Sequence, residues 1–178
     1  NATRYNASWV DLNRNYPDPE DGPHPDGNIW QQETLIFMGL ADSVDFNLSA
    51  NLHGGTELVN YPWDTWSNLT ADDNWWQYVA EEYADSCQLN SSSGYFNSQN
   101  NGITNGHDWY EVNGGRQDYM NYFKGCKEFT LELSDDKIPN PNELPYFWDA
   151  NYPSLINYIN QSLYGIRGVI TDSITGNS

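Results

Sequence analysis

The spacing of large apolar residues along the chain predicts three helices separated by polar segments. From about residue 28 to residue 42, Leu35, Met38 and neighbouring apolar residues recur every three or four positions, as on one face of a helix. The same periodicity covers residues 72–86 and 155–164. This pattern is typical of a globular chain.

Alternating apolar and polar residues predict strands between these helices. Residues 44–52 alternate in this way and place His53 at the strand's end, followed by Gly54 and Gly55. Residues 128–133 form a second, more apolar strand-like run. Helices mixed with strands favour an α/β fold. A histidine followed by glycines at a strand end suits a site at the carboxyl edge of a mixed sheet.

Composition narrows the class of protein. The 178 residues can form one core, and 38% hydrophobic with 15% aromatic residues exclude a disordered chain. No apolar run approaches the roughly 20 residues of a membrane span, and the first residues lack the basic and apolar pattern of a signal peptide. The segment is therefore predicted to carry neither a membrane anchor nor a signal peptide.

Acidic residues outnumber basic ones by 25 to 7, which gives a net charge of −18. Such a charge repels nucleic acid and anionic membranes and favours cationic partners, among which basic peptides are a candidate substrate class. The same acidity also suits a secreted protein that stays soluble in salt. A specific acidic residue in a pocket would have to provide the specificity.

Cys87 and Cys126 leave two alternatives open. A disulfide between them would close a loop of about 40 residues and suit an oxidising compartment, whereas the other possibility is two free, buried thiols. Asn-x-Ser/Thr sequons favour extracellular exposure only weakly, because a chain rich in Asn and Ser produces them by chance. They begin at Asn1, Asn6, Asn47, Asn68, Asn90 and Asn160.

Three short segments carry residues suited to peptide chemistry. They are DLNRNYP at 11–17, NLHGGTELVNYPWD at 51–64 and FTLELSD at 129–135. An arginine fork binds both oxygens of a carboxylate, neutral histidine is a common zinc ligand, and a carboxylate near a metal can take the proton of water. Each part alone has an ordinary explanation, since Arg14 could be a surface residue, His53 a structural one and Glu132 a strand residue facing solvent.

Together, the three segments resemble the zinc carboxypeptidases of the M14 family, and the resemblance extends through nearly all of the chain. The most similar branch includes carboxypeptidases D, E and N, and the strings GGRQDYMNYF and LYGIRG resemble secreted bacterial members. The resemblance implies an α/β fold with a mixed β-sheet flanked by helices, incomplete at the N-terminus. Residues 1–164 would form a partial catalytic domain, and residues 165–178 the first strand of a transthyretin-like β-sandwich.

The resemblance also implies roles for individual residues. His53 matches a zinc ligand, Glu132 the general base, and Arg4 the arginine that stabilises the oxyanion. Asn13 and Arg14 match the residues that bind the substrate's terminal carboxylate in this family. Tyr110 matches the family's mobile tyrosine, and Asp64 with Gln117 matches its specificity pocket. An aspartate in the pocket predicts substrates ending in Lys or Arg. Alternatively, Arg4 is an exposed terminal charge and Asp64 a solvated loop residue.

Two departures from the family pattern matter. The chain has no His-x-x-Glu motif, which supplies the family's first two zinc ligands, so we expect one zinc ion with two further ligands outside this segment. The remaining histidines, His24 and His107, are predicted not to be ligands. Arg116 stands where animal relatives often have an apolar residue, and we expect it to alter the pocket rim.

The function predicted from these residues is that of a secreted or periplasmic, zinc-dependent exopeptidase that removes C-terminal Lys or Arg from peptides and proteins. Two alternatives stay open, namely a non-catalytic module that binds basic C-termini without zinc, and an inactive fragment. A carbohydrate-binding module, suggested by the many Trp and Tyr, would leave FTLELS and DLNRNYP unexplained. Retention of Glu132 favours the enzyme, since binding alone requires no general base.

Overall fold

A computed structural model describes residues 3–92, 94–165 and 172–175 of the chain. The strands in these ranges are β1 (Leu48–His53), β2 (Thr56–Tyr61), β3 (Ile103–Asn105) and β4 (Lys127–Ser134). The helices are α1 (Gln32–Ser43), α2 (Asp73–Leu89), α3 (Ser98–Gly102), α4 (Gly106–Trp109), α5 (Arg116–Asp118) and α6 (Leu144–Asn160). Short 3-10 turns cover Leu12–Arg14, Pro141–Glu143 and Gln161–Leu163, and a π-turn covers Tyr119–Phe123.

The strands form one mixed sheet in the order β1-β4-β2-β3. Strand β4 runs parallel to β1 and antiparallel to β2, and β2 runs parallel to β3. The register between β1 and β4 places His53 opposite Glu132 and Asn51 opposite Thr130. Because parallel strands end at the same edge of a sheet, two distant segments of sequence meet at this edge.

One face of the sheet packs against α2 and α6. Successive side chains of a strand point to opposite faces, so β4 turns Phe129 and Leu131 to this side. The buried apolar cluster there comprises Val59, Tyr61, Trp76, Val79, Ala80, Tyr83, Ala84, Cys87, Tyr95, Phe96, Ile103, Phe129, Leu131, Ala150 and Tyr158. Burying a side chain as large as Phe129 stabilises the fold by roughly 1.5–3 kcal/mol.

The opposite face of the same strands carries buried polar residues. In β4, Glu128, Thr130 and Glu132 alternate with the apolar residues and point to this side. Glu128 is fully buried, and the Arg116 guanidinium donates to its two oxygens at 2.9 and 3.1 Å. A buried carboxylate is costly unless a cation pairs with it, so this ion pair fastens α5 to the sheet.

The two cysteines lie in separate apolar clusters, and both are free and buried. Cys87 belongs to the cluster between the sheet and α2, where its Sγ lies 3.2 Å from Ser154 Oγ. Cys126 belongs to a smaller cluster with Tyr16 and Tyr119. The disulfide alternative is therefore wrong, and the alternative of two free, buried thiols is confirmed.

The last helix is longer than the periodicity predicts. It was predicted to begin at residue 155, whereas α6 begins at Leu144. Asn140 and Glu143 form a capping box immediately before it, and Pro153 is accommodated inside it. Packing of α6 against α2 and the sheet outweighs the hydrogen bond that an internal proline removes, and single-sequence periodicity cannot show such packing.

Other differences concern short elements. Residues 88–108, predicted as a loop, contain α3, β3 and α4, because elements of three to five residues are too short to show a period. Most of the strand predicted over 165–172, and with it the start of a sandwich domain, falls outside the described residues. Within the described ranges, no helix combines the length and the apolarity that a membrane crossing requires.

Candidate active site

Most of the predicted site residues line one cavity at the carboxyl edge of β1 and β4. Its wall contains Arg4, Asn13, His53, Asp64, Tyr110 and Glu132. The rest of the wall consists of Gly54, Gly55, Asn60, Trp109, Val112, Thr130 and Lys137. Arg14 and Gln117 are not wall residues, but each donates a hydrogen bond to one, Arg14 to Asn13 and Gln117 to Asp64. The fold thus brings all eight predicted residues together.

His53 lies at the end of β1 and faces the neighbouring strand. Its Nδ1 is 3.8 Å from Glu132 Oε1. Burial and the positive charges of Arg4 and Arg116 lower the pKa of His53 to about 4, so the imidazole is neutral at pH 7. Neutral imidazole is the form that binds zinc.

Glu132 is a buried acid placed to accept a proton. It is 6% exposed, and its Oε2 has no hydrogen-bond partner within the described part of the chain. Burial raises the pKa of Glu132 to about 7, although the charge of Lys137 opposes the shift. A carboxylate that titrates near the working pH is well matched to general base catalysis. The alternative in which Glu132 faces solvent is not what the structure shows.

The donor set for zinc is incomplete among the described residues. His53 suits a zinc ligand, but no group of three or more His, Cys, Asp or Glu side chains that could hold a metal ion occurs in those ranges. A catalytic zinc site usually has three protein ligands. The His24 ring lies 5.0 Å from the Trp30 ring and is tilted by 43° to it, and neither His24 nor His107 lines the cavity. The described segment therefore offers zinc one ligand.

The DLNRNYP segment holds Asn13 and Arg14 in a single 3-10 turn. Asp11 caps the turn by accepting a hydrogen bond from the Asn13 backbone N–H at 3.1 Å. Asn13 Oδ1 accepts from the Arg116 backbone N–H at 2.9 Å, which fixes the amide at the cavity wall. Arg14 Nη1 donates to the Asn13 carbonyl at 2.7 Å. The charge of this guanidinium lowers the pKa of His53 and of Asp64, so Arg14 is within electrostatic range of both wall residues.

Arg4 and Tyr110 lie at the more exposed part of the cavity wall. Arg4 Nε pairs with Asp11 Oδ2 at 2.5 Å, so this exposed arginine is anchored and not a free terminal charge. Tyr110 is 45% exposed, and its ring centroid is 4.7 Å from that of Trp109. Both side chains therefore lie where the cavity wall is open to solvent.

Asp64 lies at the buried end of the cavity with too few donors around it. It is 3% exposed, and its Oδ1 accepts from Asn60 Nδ2 at 3.0 Å and Gln117 Nε2 at 3.1 Å. Asn60 Oδ1 and Gln117 Oε1 are buried and have no partner among the described residues. Burial raises the pKa of Asp64 to about 6. We call Asn60, Asp64 and Gln117 the acceptor cluster, because its buried oxygens outnumber the hydrogen-bond donors that the described residues supply to them.

Backbone contacts hold Asp64 in place. The fully buried Asp118 accepts from the backbone N–H groups of Asp64 at 3.1 Å and Thr65 at 2.8 Å. Gly106 borders the Asp64 carboxylate so closely that a Cβ at this position would lie 1.9 Å from Oδ1. Any larger residue at position 106 would displace the carboxylate. The buried Asp64 is thus no solvated loop residue.

Sequence reasoning missed Asn60, Asp118 and Lys137. Asn60 lies in β2 opposite Thr130 of β4, and this strand was not predicted. Asp118 lies inside the string GGRQDYMNYF, and Lys137 lies two residues after FTLELSD, but only the tertiary fold shows what these side chains contact. Arg116, expected to alter the pocket rim, is not itself a wall residue. Its side chain bonds the buried Glu128 of β4, and its backbone N–H donates to the wall residue Asn13.

Comparison with known proteins identifies the family. The sequence profile of Peptidase_M14, zinc carboxypeptidase, matches residues 1–154. This chain belongs to the zinc carboxypeptidase family. Zinc is the metal of this family, and His53 is the described residue best placed to bind it.

Several carboxypeptidases are similar to this chain over most of its length. Carboxypeptidase M from Mus musculus is 41% identical over 183 residues, which cover 95% of this chain and 40% of that protein. Carboxypeptidase D from Drosophila melanogaster is 37% identical over 182 residues, which cover 96% of this chain and 13% of that protein. Carboxypeptidase SOL1 from Arabidopsis thaliana is 39% identical over 162 residues, covering 88% and 32%. The chain thus spans less than half the length of these relatives.

Solved structures share the fold of this chain. The crystal structure of carboxypeptidase A from Helicoverpa armigera superposes with a TM-score of 0.71 at 17% identity, covering 89% of this chain and 44% of that one. Thrombin-activatable fibrinolysis inhibitor superposes with a TM-score of 0.67 at 15% identity, covering 93% and 45%. The predicted mixed sheet flanked by helices is therefore confirmed.

Proposed function

We propose that this chain is part of a metallocarboxypeptidase that hydrolyses the last peptide bond of peptides and proteins and prefers a C-terminal Lys or Arg. The acceptor cluster is the observation that carries this preference. A lysine ammonium or arginine guanidinium supplies the positive charge and the N–H donors that the cluster lacks. A neutral side chain would leave these buried groups unpaired, at a cost of about 1–3 kcal/mol each.

The other residues of the site orient the substrate. Asn13 and Arg14 offer amide and guanidinium N–H groups to the terminal carboxylate, which a guanidinium can bind through both oxygens. With the carboxylate held there and the basic side chain directed to Asp64, the last peptide bond lies near Glu132. Tyr110, at the exposed part of the wall, is placed to cover the terminal residue.

Glu132 performs the proton transfers that hydrolysis requires. Its free Oε2 takes a proton from the attacking water and delivers it to the nitrogen of the leaving residue. The terminal nitrogens of Arg4 donate to the carbonyl oxygen as negative charge develops on it. Zinc supplies Lewis acidity when bound. We assign His53 as one of its ligands and infer that the others come from outside the described residues.

Release of C-terminal residues tests this proposal. Peptides that differ only in a final Arg, Lys, citrulline or Leu are incubated with the zinc-loaded full-length protein, with and without a chelator. We expect chelator-sensitive release of Arg and Lys with kcat/KM at least about 10-fold above that of citrulline, which has the shape of arginine without its charge. Equal kcat/KM values for peptides ending in Arg and in citrulline would contradict the basic preference. No release from any peptide would contradict the proposed enzymatic function.

A non-catalytic module for basic C-termini is the second candidate, favoured by the incomplete donor set for zinc in the described residues. It predicts binding of an Arg-terminated peptide that is insensitive to chelator and to Glu132→Gln. Tryptophan fluorescence can follow binding, because Trp109 lies in the cavity wall. Chelator-insensitive binding without turnover would select this module, and neither binding nor turnover would indicate an inactive fragment.

Two finer proposals concern location and chain organisation. The acidic composition and the string GGRQDYMNYF support a secreted, bacterial-type member of the carboxypeptidase D, E and N branch. The alternating run at 165–172 supports a second domain that begins at residue 165. Cell fractionation and limited proteolysis of the full-length protein test these proposals. A cytoplasmic enzyme would contradict the first, and resistance to cleavage around residue 165 the second.

A further inference from the structure

Basic side chains are scarce in this protein, and most of them are already neutralised. Of the seven Lys and Arg residues, Arg167 lies outside the described ranges. Four others pair with carboxylates, namely Arg4 with Asp11, Arg116 with Glu128, Lys124 with Asp42 and Lys127 with Asp72. Within the described ranges this leaves Arg14 and Lys137 without an ion-pair partner. Lys137 lines the cavity and Arg14 bonds the wall residue Asn13, although the chain has 25 acidic residues.

The position of Lys137 is set by the segment that follows β4. The Gly55 backbone N–H donates to the Ser134 carbonyl at 2.7 Å, which joins this segment to the end of β1. A Cβ at Gly55 would lie 3.1 Å from Lys137 Cε and 3.5 Å from Nζ, so the lysine side chain extends over this glycine into the cavity wall. The adjacent Asp135 and Asp136 form no ion pair with it in the described chain. Its ammonium is therefore held at the cavity and available.

The cavity has charges of opposite sign in its wall. Asp64 lies at the buried end, whereas Lys137 is exposed. Glu132 is within electrostatic range of both, because the positive charge of Lys137 lowers its pKa and the negative charge of Asp64 raises it. A substrate whose last side chain reaches Asp64 and whose last peptide bond lies at Glu132 must leave the cavity past its exposed part. The residue before the cleaved bond then lies near Lys137.

We propose that Lys137 binds the side chain of the penultimate substrate residue and favours a carboxylate there. This inference rests on the proposed function of the same cavity and adds a second position of specificity to it. The preferred peptide ends in an acidic residue followed by a basic one, a charge pattern opposite to that of the cavity wall. An ion pair formed at an exposed lysine is weak, so the preference amounts to about 2- to 5-fold and falls as salt is added.

Peptides with Glu, Gln or Lys before a C-terminal Arg provide the test. Their kcat/KM is measured with the zinc-loaded full-length enzyme, and their Kd by tryptophan fluorescence without metal. The proteins are wild type, Lys137→Met, Lys137→Glu and Lys137→Arg. Lys124→Met is the matched control, because it removes the same charge from a residue that pairs with Asp42 outside the cavity. Circular dichroism confirms that each variant is folded.

The expected order for wild type, Lys137→Arg and Lys124→Met is Glu above Gln above Lys. Lys137→Met should make the three peptides equal, and Lys137→Glu should reverse the order. An equal response of wild type to all three peptides, or a preference that survives in Lys137→Met, would overturn the inference while C-terminal Arg is still released. Absence of both binding and release for every peptide would overturn the proposed function and this inference with it.

Discussion

The apolar face of the sheet is closed by α2 and α6, whereas its polar face opens into the cavity. On the apolar face, large side chains are densely packed, and the rings of Phe129 and Tyr158 stack with centroids 4.1 Å apart. On the polar face, buried atoms such as Glu132 Oε2 and Gln117 Oε1 have no partner in the described chain. Dense apolar packing stabilises a fold, while unpaired buried polar atoms cost stability. Substitutions at neighbouring positions of β4 should therefore have different effects. Those on the apolar face should lower the stability of the fold, and those on the polar face should lower activity.

The largest effect is expected for Glu132→Gln on the polar face. Loss of the proposed general base should lower kcat about 100- to 10,000-fold. The free energy of unfolding should stay unchanged or rise, because a neutral amide replaces a buried acid. Peptide hydrolysis and urea unfolding of the same preparation measure the two quantities. Glu81→Gln, at an exposed site on α2, is the control and should change neither. A fall in stability that accounts for the lost activity would contradict the separation of the two faces.

Phe129→Ala, three residues earlier on the same strand, should do the opposite. Truncating this fully buried ring leaves a cavity among Trp76, Tyr83 and Tyr158 and should lower the free energy of unfolding by about 3–5 kcal/mol. The Kd for an Arg-terminated peptide, measured at low temperature where the variant is folded, should change little. Phe129→Leu should cost less, since it keeps most of the volume. Loss of peptide binding at unchanged stability would contradict this prediction.

Asp64→Asn should stabilise the fold while it weakens recognition. Burial raises the pKa of Asp64 from 3.8 to about 6, so ionisation of this carboxyl destabilises the peptide-free protein as the pH rises through this interval. The variant should match wild type near pH 4 and exceed its free energy of unfolding by about 1–3 kcal/mol at pH 8. Urea unfolding at the two pH values measures this difference.

The same substitution should reduce the ratio of kcat/KM for Arg over citrulline by about 10-fold or more, because the buried charge that pairs with guanidinium is gone. Asp108→Asn, on the exposed side of α4, is the control for both measurements. A stability gain that does not depend on pH, or an unchanged Arg preference, would show that Asp64 is not the charge that matters.

The smallest effect is expected for the cysteines. Since Cys87 and Cys126 are free and lie in separate clusters, a reducing agent should leave the melting temperature unchanged. Two thiols per chain should react with a thiol reagent after denaturation without reductant. If the two were bonded instead, reduction would cost about 2–5 kcal/mol and no thiol would be titrated.

Features with a local signature could be predicted from sequence. The alternation around Glu132 and the glycines after His53 predict correctly that Glu132 lies within a buried strand and that His53 ends one. Residue patterns with a period of two or about four positions carry this information because it depends on near neighbours alone.

Features that depend on strand order could not be predicted. Asn60 joins the acceptor cluster only because β2 pairs with β4 in a particular register. The pairing of Arg116 with Glu128, and the position of Lys137 over Gly55, depend likewise on contacts between distant segments. Such pairings are set by tertiary packing, which a single sequence does not display.

The strand order also determines when the cavity can form during synthesis of the chain. Strands β1 and β2 are neighbours in sequence, yet β4 is inserted between them. A chain still emerging from the ribosome holds β1 and β2 without the strand that joins them, and His53 meets Glu132 only after β4 has been synthesised. The cavity therefore cannot form before β4 has been synthesised, so the order of synthesis sets the earliest moment at which it exists.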